Sequence, residues 1–367
     1  MKTIAADRPI RFGIVGSGYI SQTHVDSLRR VSGTTVTRSW SRSAERARAF
    51  AERNDIPAFG TDWREVVESS DVDAVCVNTP NYLHGQVILA AAAAGKHVVC
   101  EKPLTLDLDE GRRCIAACRD AGVVLGYAEE LCFVPKFVRA KQLMDQGAFG
   151  DVYMVRQSEK HAGPYSPWFF QRDQAGGGIV MDMGCHAIEY CRWLLGKPRI
   201  VSVTAHMATY LHGAITDLED HVIAILEIEG GKTAVIESSW ALKGGMSSIV
   251  EIYGTAGVLK TDLTLGSGIS VFSEKGYDDG SDERRGWSFP MYEELWQNGY
   301  PQEMQHFVDC MRTGETPMES GEDGLAVLEI MLAAYASAAE GRRVQLPYVP
   351  PPGTEFPVDL WLASRKR

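Results

Sequence analysis

The chain has 367 residues, of which 45% are hydrophobic and 23% are charged, a balance that is typical of globular proteins and argues against disorder. Its formal net charge of -11 argues against nucleic acid as a partner, because phosphates require a basic surface. No apolar run approaches the roughly 18 to 20 residues that cross a bilayer. Asp7, Arg8 and Pro9 interrupt any signal-peptide core, so we expect a cytoplasmic protein with no membrane partner.

The first 125 residues alternate strand and helix patterns, which predicts a parallel sheet with right-handed crossovers. Strands are predicted at residues 10–15, 35–40, 72–77, 97–100 and 123–127, and helices at 19–30, 44–53, 82–94 and 108–121. The continuous apolar run at 72–77 is typical of a parallel strand that helices cover on both faces. We expect this α/β domain to span residues 1–127.

After residue 150 the strands become longer and alternate apolar with polar residues. Segments 221–229 and 233–240 flank Gly230-Gly231, a pair typical of a primed hairpin turn. Helices are predicted at 182–195, 301–312 and 321–339. The pattern predicts an α+β C-terminal domain over 128–345, with a large, mostly antiparallel sheet that is open on one face. A Pro-rich tail, 346–367, is expected to wrap the surface.

A glycine loop follows the first predicted strand, with the order Gly16-Ser17-Gly18-Tyr19-Ile20. Gly16 permits a tight turn, and Gly18 lets the backbone approach a pyrophosphate held at the start of the next helix. Taken alone the pattern can also be an ordinary turn. Because it lies between a strand and a helix, it predicts a Rossmann domain that binds a nicotinamide dinucleotide through these five residues.

The end of the second strand bears on which dinucleotide is bound. No acidic residue lies between Asp26 and Glu45, where an NAD enzyme usually has one for the ribose 2′-OH. The hydroxyl of Ser41 and the guanidinium groups of Arg42 and Arg46 suit a 2′-phosphate instead. We expect NADP or NAD, with NADP favoured; the alternative is that Arg42 only begins a solvated helix.

Three further motifs follow in order: NTPNYLH at 78–84, EKP at 101–103 and GGGIVMDMGCH at 176–186. Together with the glycine loop they resemble the Gfo/Idh/MocA family, which includes glucose-fructose oxidoreductase and inositol dehydrogenases. The resemblance extends from about residue 10 to about residue 345. It implies that the nicotinamide side of the cofactor is lined by Thr79, Pro80, Asn81, His84, Glu101, Lys102 and Glu130. Glu129 and Glu130 form an acidic pair that the sequence alone does not explain.

The resemblance also places Lys102, Asp182 and His186 at the reacting centre. Oxidation of a secondary alcohol requires a base, for which a neutral His186 is suited. Lys102 can stabilise the developing alkoxide, and Asp182 can orient the imidazole or anchor a hydroxyl. Each residue alone can instead be structural. Asp182 and His186 also resemble half of a metal site, but no third ligand is evident, so we expect no metal.

The segment 158–172 carries the candidate substrate residues Lys160, His161, Trp168 and Arg172. Trp168 can stack on a pyranose face, while the three basic side chains can bind hydroxyls or an anionic group. That convergence suits a carboxylated, phosphorylated or sulfonated sugar. The alternative is that the aromatic residues are core and the basic residues are solvated.

The predicted function is an NAD(P)-dependent oxidoreductase that transfers hydride between a hydroxyl carbon of a sugar or polyol and the nicotinamide. The family resemblance implies a homo-dimer or homo-tetramer formed through the open sheet face. Two alternatives stay open. One is a glycoside hydrolase that oxidises, eliminates, hydrates and re-reduces its substrate with a retained cofactor. The other is a non-catalytic cofactor-binding regulator, against which the intact Lys102, Asp182 and His186 count.

Overall fold

The computed structural model describes residues 1–164, 166–264, 271–278, 283–288 and 294–365. The first part alternates strands and helices: β1 (Ile10–Val15), α1 (Tyr19–Leu28), β2 (Thr34–Trp40), α2 (Ala44–Arg53), β3 (Ala58–Gly60), α3 (Arg64–Val67), β4 (Ala74–Val77), α4 (His84–Ala93), β5 (His97–Glu101), α5 (Leu108–Ala121) and β6 (Leu125–Ala128). The six strands are all parallel, in the order β3-β2-β1-β4-β5-β6. The order reverses between β1 and β4, so a crevice forms at their carboxyl ends.

This sheet confirms the predicted Rossmann fold, with two local differences. Strand β3 and helix α3 are not predictable from the sequence pattern, because three and four residues are too few to show a period. The predicted helix 82–94 begins instead with a 3₁₀ turn at Asn81–Leu83.

The second part contains α6 (Pro135–Asp145), β7 (Val152–Lys160), α7 (Arg172–Ala175), α8 (Cys185–Leu194), β8 (Ile200–Ala208), β9 (His221–Ile228), β10 (Lys232–Ser239), β11 (Ser247–Gly254), β12 (Gly257–Asp262), β13 (Val271–Asp278), β14 (Glu283–Ser288), α9 (Glu294–Gln297), α10 (Tyr300–Thr313), α11 (Gly321–Glu340), β15 (Val344–Gln345) and α12 (Asp359–Arg365). Seven strands form a sheet in the order β12-β11-β7-β10-β9-β8-β15. Its pairs are antiparallel except for β7 with β10. Strands β13 and β14 pair as a separate hairpin.

The seven-stranded sheet is open on one face, as predicted. Helices α8 and α11 pack against its other face. On the open face Ile223 and Ile225 are 40% and 43% exposed. The β9–β10 turn has φ of 84° at Gly230 and 81° at Gly231, the positive angles that a primed hairpin turn requires.

Helix α10 returns to the first sheet. Phe307 and Met311 pack in one core with Ile10 and Phe12 of β1. Glycine is required at position 126 of β6, because an added Cβ would lie 2.5 Å from the Phe307 ring. The parallel sheet is therefore covered partly by a helix, Tyr300–Thr313, that comes long after its last strand, Leu125–Ala128.

The C-terminal tail does more than wrap the surface. Val358 and Trp361 are buried in the core of the second part, and helix α12 packs against α11. The Val358 amide donates to the Gly176 carbonyl, which joins the tail to the triple-glycine motif. None of the described helices combines the length and apolarity needed to span a bilayer.

Candidate functional site

A cavity of about 500 Å³ lies at the carboxyl end of the parallel sheet. We call one part the nucleotide half; its lining comes from residues 16–20, 40–43, 46 and 78–81. We call the other part the catalytic half; its lining comes from residues 101–103, 130, 131, 159, 161, 164, 166, 168, 169, 181–183, 186, 246, 263, 294, 298 and 300. The two sheets thus contribute to a single site.

The glycine loop has the geometry that a dinucleotide needs. Gly16 has φ of 143°, and an added Cβ would lie 2.2 Å from the Asn78 carbonyl, so only glycine fits there. At Gly18 an added Cβ would meet nothing within 4 Å, which leaves the backbone open to the cavity. No described side chain caps the first turn of α1, so its amide groups can bind an anion.

Orphaned polar atoms also line the nucleotide half. The side-chain amide of Asn78 and the hydroxyl of Thr79 are buried and have no hydrogen-bond partner among the described residues. Buried polar groups are normally paired, so these atoms fit the polar groups of a bound dinucleotide.

Some residues of the NTPNYLH motif line the cavity, and others hold together the loops that form it. Thr79, Pro80 and Asn81 line the cavity, and Asn81 Nδ2 also donates to the Ala175 carbonyl at 2.8 Å. His84, which we predicted to line the cofactor, does not lie in the cavity wall. Its ring nitrogens are 2.8 Å from the Pro103 carbonyl and 3.0 Å from the Thr79 carbonyl, so it joins two loops of the site.

Ser41, Arg42 and Arg46, the residues predicted to bind the ribose end of the cofactor, all line the nucleotide half. The hydroxyls of Ser17 and Ser41 form a hydrogen bond of 2.8 Å. Both arginines are exposed, and no ion pair with a described residue occupies either guanidinium. Two cations are therefore available to a ligand at this part of the cavity.

Lys102 and Asp182 form a buried ion pair in the catalytic half. Lys102 Nζ donates to the Asp182 carbonyl at 2.7 Å and to Oδ1 at 3.1 Å. The other oxygen, Oδ2, accepts from Trp240 Nε1 at 2.9 Å and lies 3.5 Å from His161 Nε2. Burial raises the pKa of Asp182, but the Lys102 charge, His161 and the Trp240 hydrogen bond together outweigh it and hold that pKa below its usual range. Burial lowers the pKa of Lys102, but Asp182 and the neighbouring acidic groups together more than restore it, so the ammonium stays charged.

His186 is oriented by Glu129. Its Nδ1 lies 2.7 Å from Glu129 Oε1, and the two side chains are 3% and 0% exposed. We predicted that Asp182 could orient this imidazole, but the Asp182 oxygens are occupied by other groups. The π-helical turn at Val180–Gly184 precedes α8, so Asp182 and His186 do not follow the regular spacing of one α-helix.

The acidic pair after β6 is explained by this contact. Glu129 holds His186, and Glu130 lines the cavity with Oε2 3.7 Å from His186 Nδ1. Burial raises the pKa of Glu129 well above its ordinary value. Burial, with the neighbouring Glu129 adding to it, raises the pKa of Glu130 to about 7. Sequence reasoning noted the pair but did not identify Glu129 as a functional residue.

Glu101 also lines the cavity, directly before Lys102. It lies 2.8 Å from His24 Nε2 of α1. Burial raises the pKa of Glu101, but the hydrogen bond from His24 and its charge lower it below the ordinary value. The contact fixes the end of β5 against the helix that follows the glycine loop.

Two of the four predicted substrate residues line the cavity. His161 and Trp168 do, and the Trp168 ring stacks on Phe169 with centroids 3.8 Å apart. Lys160 lies on the opposite face of β7 from the cavity-lining Glu159, because strand side chains alternate. There it pairs with Glu237 at 2.7 Å.

Arg172 also lies outside the cavity wall. It forms ion pairs with Glu355 at 3.1 Å and Asp359 at 2.5 Å, both in the C-terminal tail. These partners are 183 and 187 residues away in sequence, so no local pattern could reveal them. The basic cluster that suggested an anionic substrate therefore does not assemble. Sequence reasoning also missed Glu159, Phe169 and Tyr300 as lining residues, for which no motif gave a signal.

Comparison with known proteins identifies the family. Residues 10–129 match the profile of the oxidoreductase family with an NAD-binding Rossmann fold, and residues 137–260 match the GFO/IDH/MocA C-terminal domain. The chain is 30% identical to inositol 2-dehydrogenase of Rhizobium meliloti, over 92% of this chain and 99% of that protein. It is also 30% identical to D-xylose 1-dehydrogenase (NADP(+)) 2 of Haloferax volcanii, over 91% and 99%.

A solved structure gives the same result. The crystal structure of GenD2 from gentamicin A biosynthesis, in complex with NAD, matches with a TM-score of 0.89 at 32% identity, over 95% of this chain and 99% of that chain. The two family profiles together cover most of the residues that line the cavity. The chain belongs to the Gfo/Idh/MocA family of oxidoreductases.

Proposed function

We propose that the protein is an NAD(P)-dependent dehydrogenase that oxidises a ring hydroxyl of a sugar or polyol, or reduces the corresponding ketone. One observation carries the proposal: Lys102, His186 and Asp182 line one half of a cavity whose other half fits a dinucleotide. The relatives named above are an inositol dehydrogenase and a xylose dehydrogenase, which supports this substrate class.

The residues of the catalytic half divide the chemistry among them. The bound nicotinamide supplies the hydride acceptor. His186 takes the hydroxyl proton at Nε2, because Nδ1 is held by Glu129. The Lys102 ammonium stabilises the alkoxide, while Asp182 and Trp240 hold that ammonium in position. Apolar side chains such as Met181 and Phe169 exclude water and strengthen these interactions.

We further propose NADP as the preferred cofactor. Arg42 and Arg46 supply two cations without ion-pair partners among the described residues, and two guanidinium groups suit a 2′-phosphate. The relatives include an enzyme named for NADP and a structure with NAD, so the family accommodates both.

The same proposal includes a homo-dimer or homo-tetramer, formed through the open face of the second sheet. The exposed Ile223 and Ile225 support this surface. We also propose a division into a cofactor domain (1–127) that helix α10 completes, a substrate domain formed by the rest of 128–345, and a tail (346–367). A cytoplasmic location is proposed too, which suits eight buried free thiols.

The test is incubation of the purified protein with NAD or NADP and a panel of sugars, polyols and glycosides. Reduced cofactor and released sugar are followed together, with His186→Ala as the inactive control. Stoichiometric cofactor reduction by the wild type alone supports the dehydrogenase. Glycoside cleavage without net reduction assigns the protein to the cofactor-dependent glycoside hydrolases instead. If the protein binds the cofactor but catalyses neither reaction, the result supports the non-catalytic regulator.

A further inference from the structure

The catalytic half of the cavity contains carboxyl groups that lack cationic partners. Glu130, Glu159 and Glu294 line it, and none pairs with a lysine or arginine among the described residues. Among the described residues, the Glu130 carboxyl has only the Tyr300 hydroxyl at 3.4 Å and His186 at 3.7 Å. Within the same part of the chain, Glu159 accepts only from Gln157 Nε2, at 3.3 Å.

Cations near this half are already paired. Lys102 is held by Asp182, and His24 lies against Glu101. The cavity-lining Arg42 and Arg46 belong to the nucleotide half. A ligand in the catalytic half therefore meets an excess of carboxyl groups.

The burial of these carboxyl groups indicates what kind of ligand they favour. The side chain of Glu130 is 14% exposed, and Glu159 is 1% exposed although it lines the cavity. Glu159 Oε1 has no hydrogen bond to any described residue, and neither has the buried Glu129 Oε2 behind this wall. A buried carboxylate without a cation is costly, so such a group favours a ligand that brings positive charge.

We propose that the substrate carries an ammonium group, as an amino sugar or an aminocyclitol, and that Glu130 and Glu159 bind it. The inference rests on the proposed dehydrogenase function. Because Glu130 lies beside His186, the amine belongs to the same ring as the hydroxyl that is oxidised. The stacked Trp168 and Phe169 offer aromatic surface to that ring or to its cation.

A divalent metal ion is the competing occupant. Ligand atoms of Glu129, Glu130 and His186 lie within 4.8 Å of one another. The direct contact between His186 Nδ1 and Glu129 Oε1 favours a shared proton over a metal at that point.

The experiment is isothermal titration of the protein, saturated with NAD or NADP, with glucosamine and its isomers that carry the amine at the third or fourth ring carbon. Glucose and the N-acetyl derivatives serve as neutral controls. Titrations at neutral pH in buffers of different ionisation enthalpy measure the protons released on binding. The variants are Glu130→Gln and Glu159→Gln, with Glu68→Gln, an exposed carboxylate directly after α3 and outside the cavity wall, as the matched control.

We expect at least one amine to bind about 10-fold or more tightly than its N-acetyl derivative, with net proton release as Glu130 ionises. Glu130→Gln or Glu159→Gln removes most of that preference, while Glu68→Gln changes it less than about 2-fold because its charge is exposed to solvent and lies outside the cavity wall. Equal or tighter binding of the neutral sugars overturns the inference. The inference is also overturned if no amine binds in any titration, or if amines bind only when magnesium or manganese is added.

The two proposals fail separately. An amine that binds as expected but never reduces the cofactor supports the charge inference and counts against the dehydrogenase. Oxidation of neutral sugars, with amines bound no more tightly than those sugars, supports the dehydrogenase and counts against the charge inference.

Discussion

His186 and Glu129 are joined by a contact of 2.7 Å between Nδ1 and Oε1, with both side chains buried. The carboxyl fixes the imidazole, so that Nε2 is the ring nitrogen left for substrate. This arrangement resembles the way a buried carboxyl orients a catalytic histidine in a triad, although here the carboxyl comes from the end of a Rossmann strand.

We expect His186→Ala to lower kcat by about 100-fold or more, because the general base is lost. Glu129→Gln keeps the shape but changes the hydrogen bonding at Nδ1, so a smaller loss of about 10-fold in kcat is expected, with KM for substrate little changed. Steady-state kinetics and cofactor titration measure both. An active His186→Ala variant, or a Glu129→Gln variant altered only in KM, contradicts these roles.

The indole of Trp240 donates to Asp182 Oδ2 at 2.9 Å. Trp240→Phe keeps the aromatic ring but removes this charge-assisted hydrogen bond, which typically contributes about 1.5 to 3 kcal/mol. We expect a lower free energy of unfolding by a similar amount, measured with denaturant. Because Lys102 is then held less firmly, kcat falls as well; Lys102→Met should reduce it further. Unchanged stability and kcat in Trp240→Phe show that Asp182 does not need this donor.

Arg42→Ala tests the cofactor preference. Loss of the guanidinium should raise KM for NADP by about 10-fold and leave KM for NAD nearly unchanged, because only NADP carries the 2′-phosphate. Arg46→Ala should act in the same direction. Equal losses for both cofactors mean that the arginines bind something common to them.

The stability of the protein should depend on the ionisation of Glu130. Burial raises the pKa of this carboxyl from 4.5 to about 7 in the folded protein. The folded state therefore binds the proton more tightly than the unfolded chain does, and stability falls as pH rises from about 4.5 through about 7. The loss attributable to Glu130 is about 3 kcal/mol. The groups that face it are His186, Glu129, Lys102, Glu101, Tyr300 and Glu303.

Glu130→Gln should remove that part of the pH dependence. Thermal denaturation from pH 5 to 8 compares the variant with the wild type and with Glu294→Gln. Glu219, whose pKa burial also raises to about 7, titrates in all three proteins, so their difference isolates Glu130. Parallel curves for wild type and Glu130→Gln count against a buried, proton-binding Glu130.

Features set by local sequence were predictable. The glycine loop depends on a strand, two glycines and a helix that are adjacent in the chain, and the structure places Gly16 and Gly18 as expected. The alternation of β9 and β10 also gave their hairpin correctly, including the turn at Gly230 and Gly231.

Features set by distant contacts were not predictable. Alternation places Glu159 and Lys160 on opposite faces of β7, but only the fold decides which face meets the cavity. Arg172 has the composition of a substrate ligand, yet its partners lie in the tail. Glu129 could be recognised in the sequence as part of an unusual acidic pair, but its contact with His186 requires β6 and α8 to be placed together.

The return of helix α10 to the parallel sheet means that the cofactor-binding unit is not continuous in the chain. Phe307 fills the space above Gly126, and Arg312 donates to the Arg8 and Gly33 carbonyls at 2.8 Å and 3.2 Å. A chimera that exchanges only residues 1–127 between relatives would pair this sheet with a foreign helix. Engineering of cofactor specificity by transplanting the whole unit therefore has to carry residues 300–313 with it.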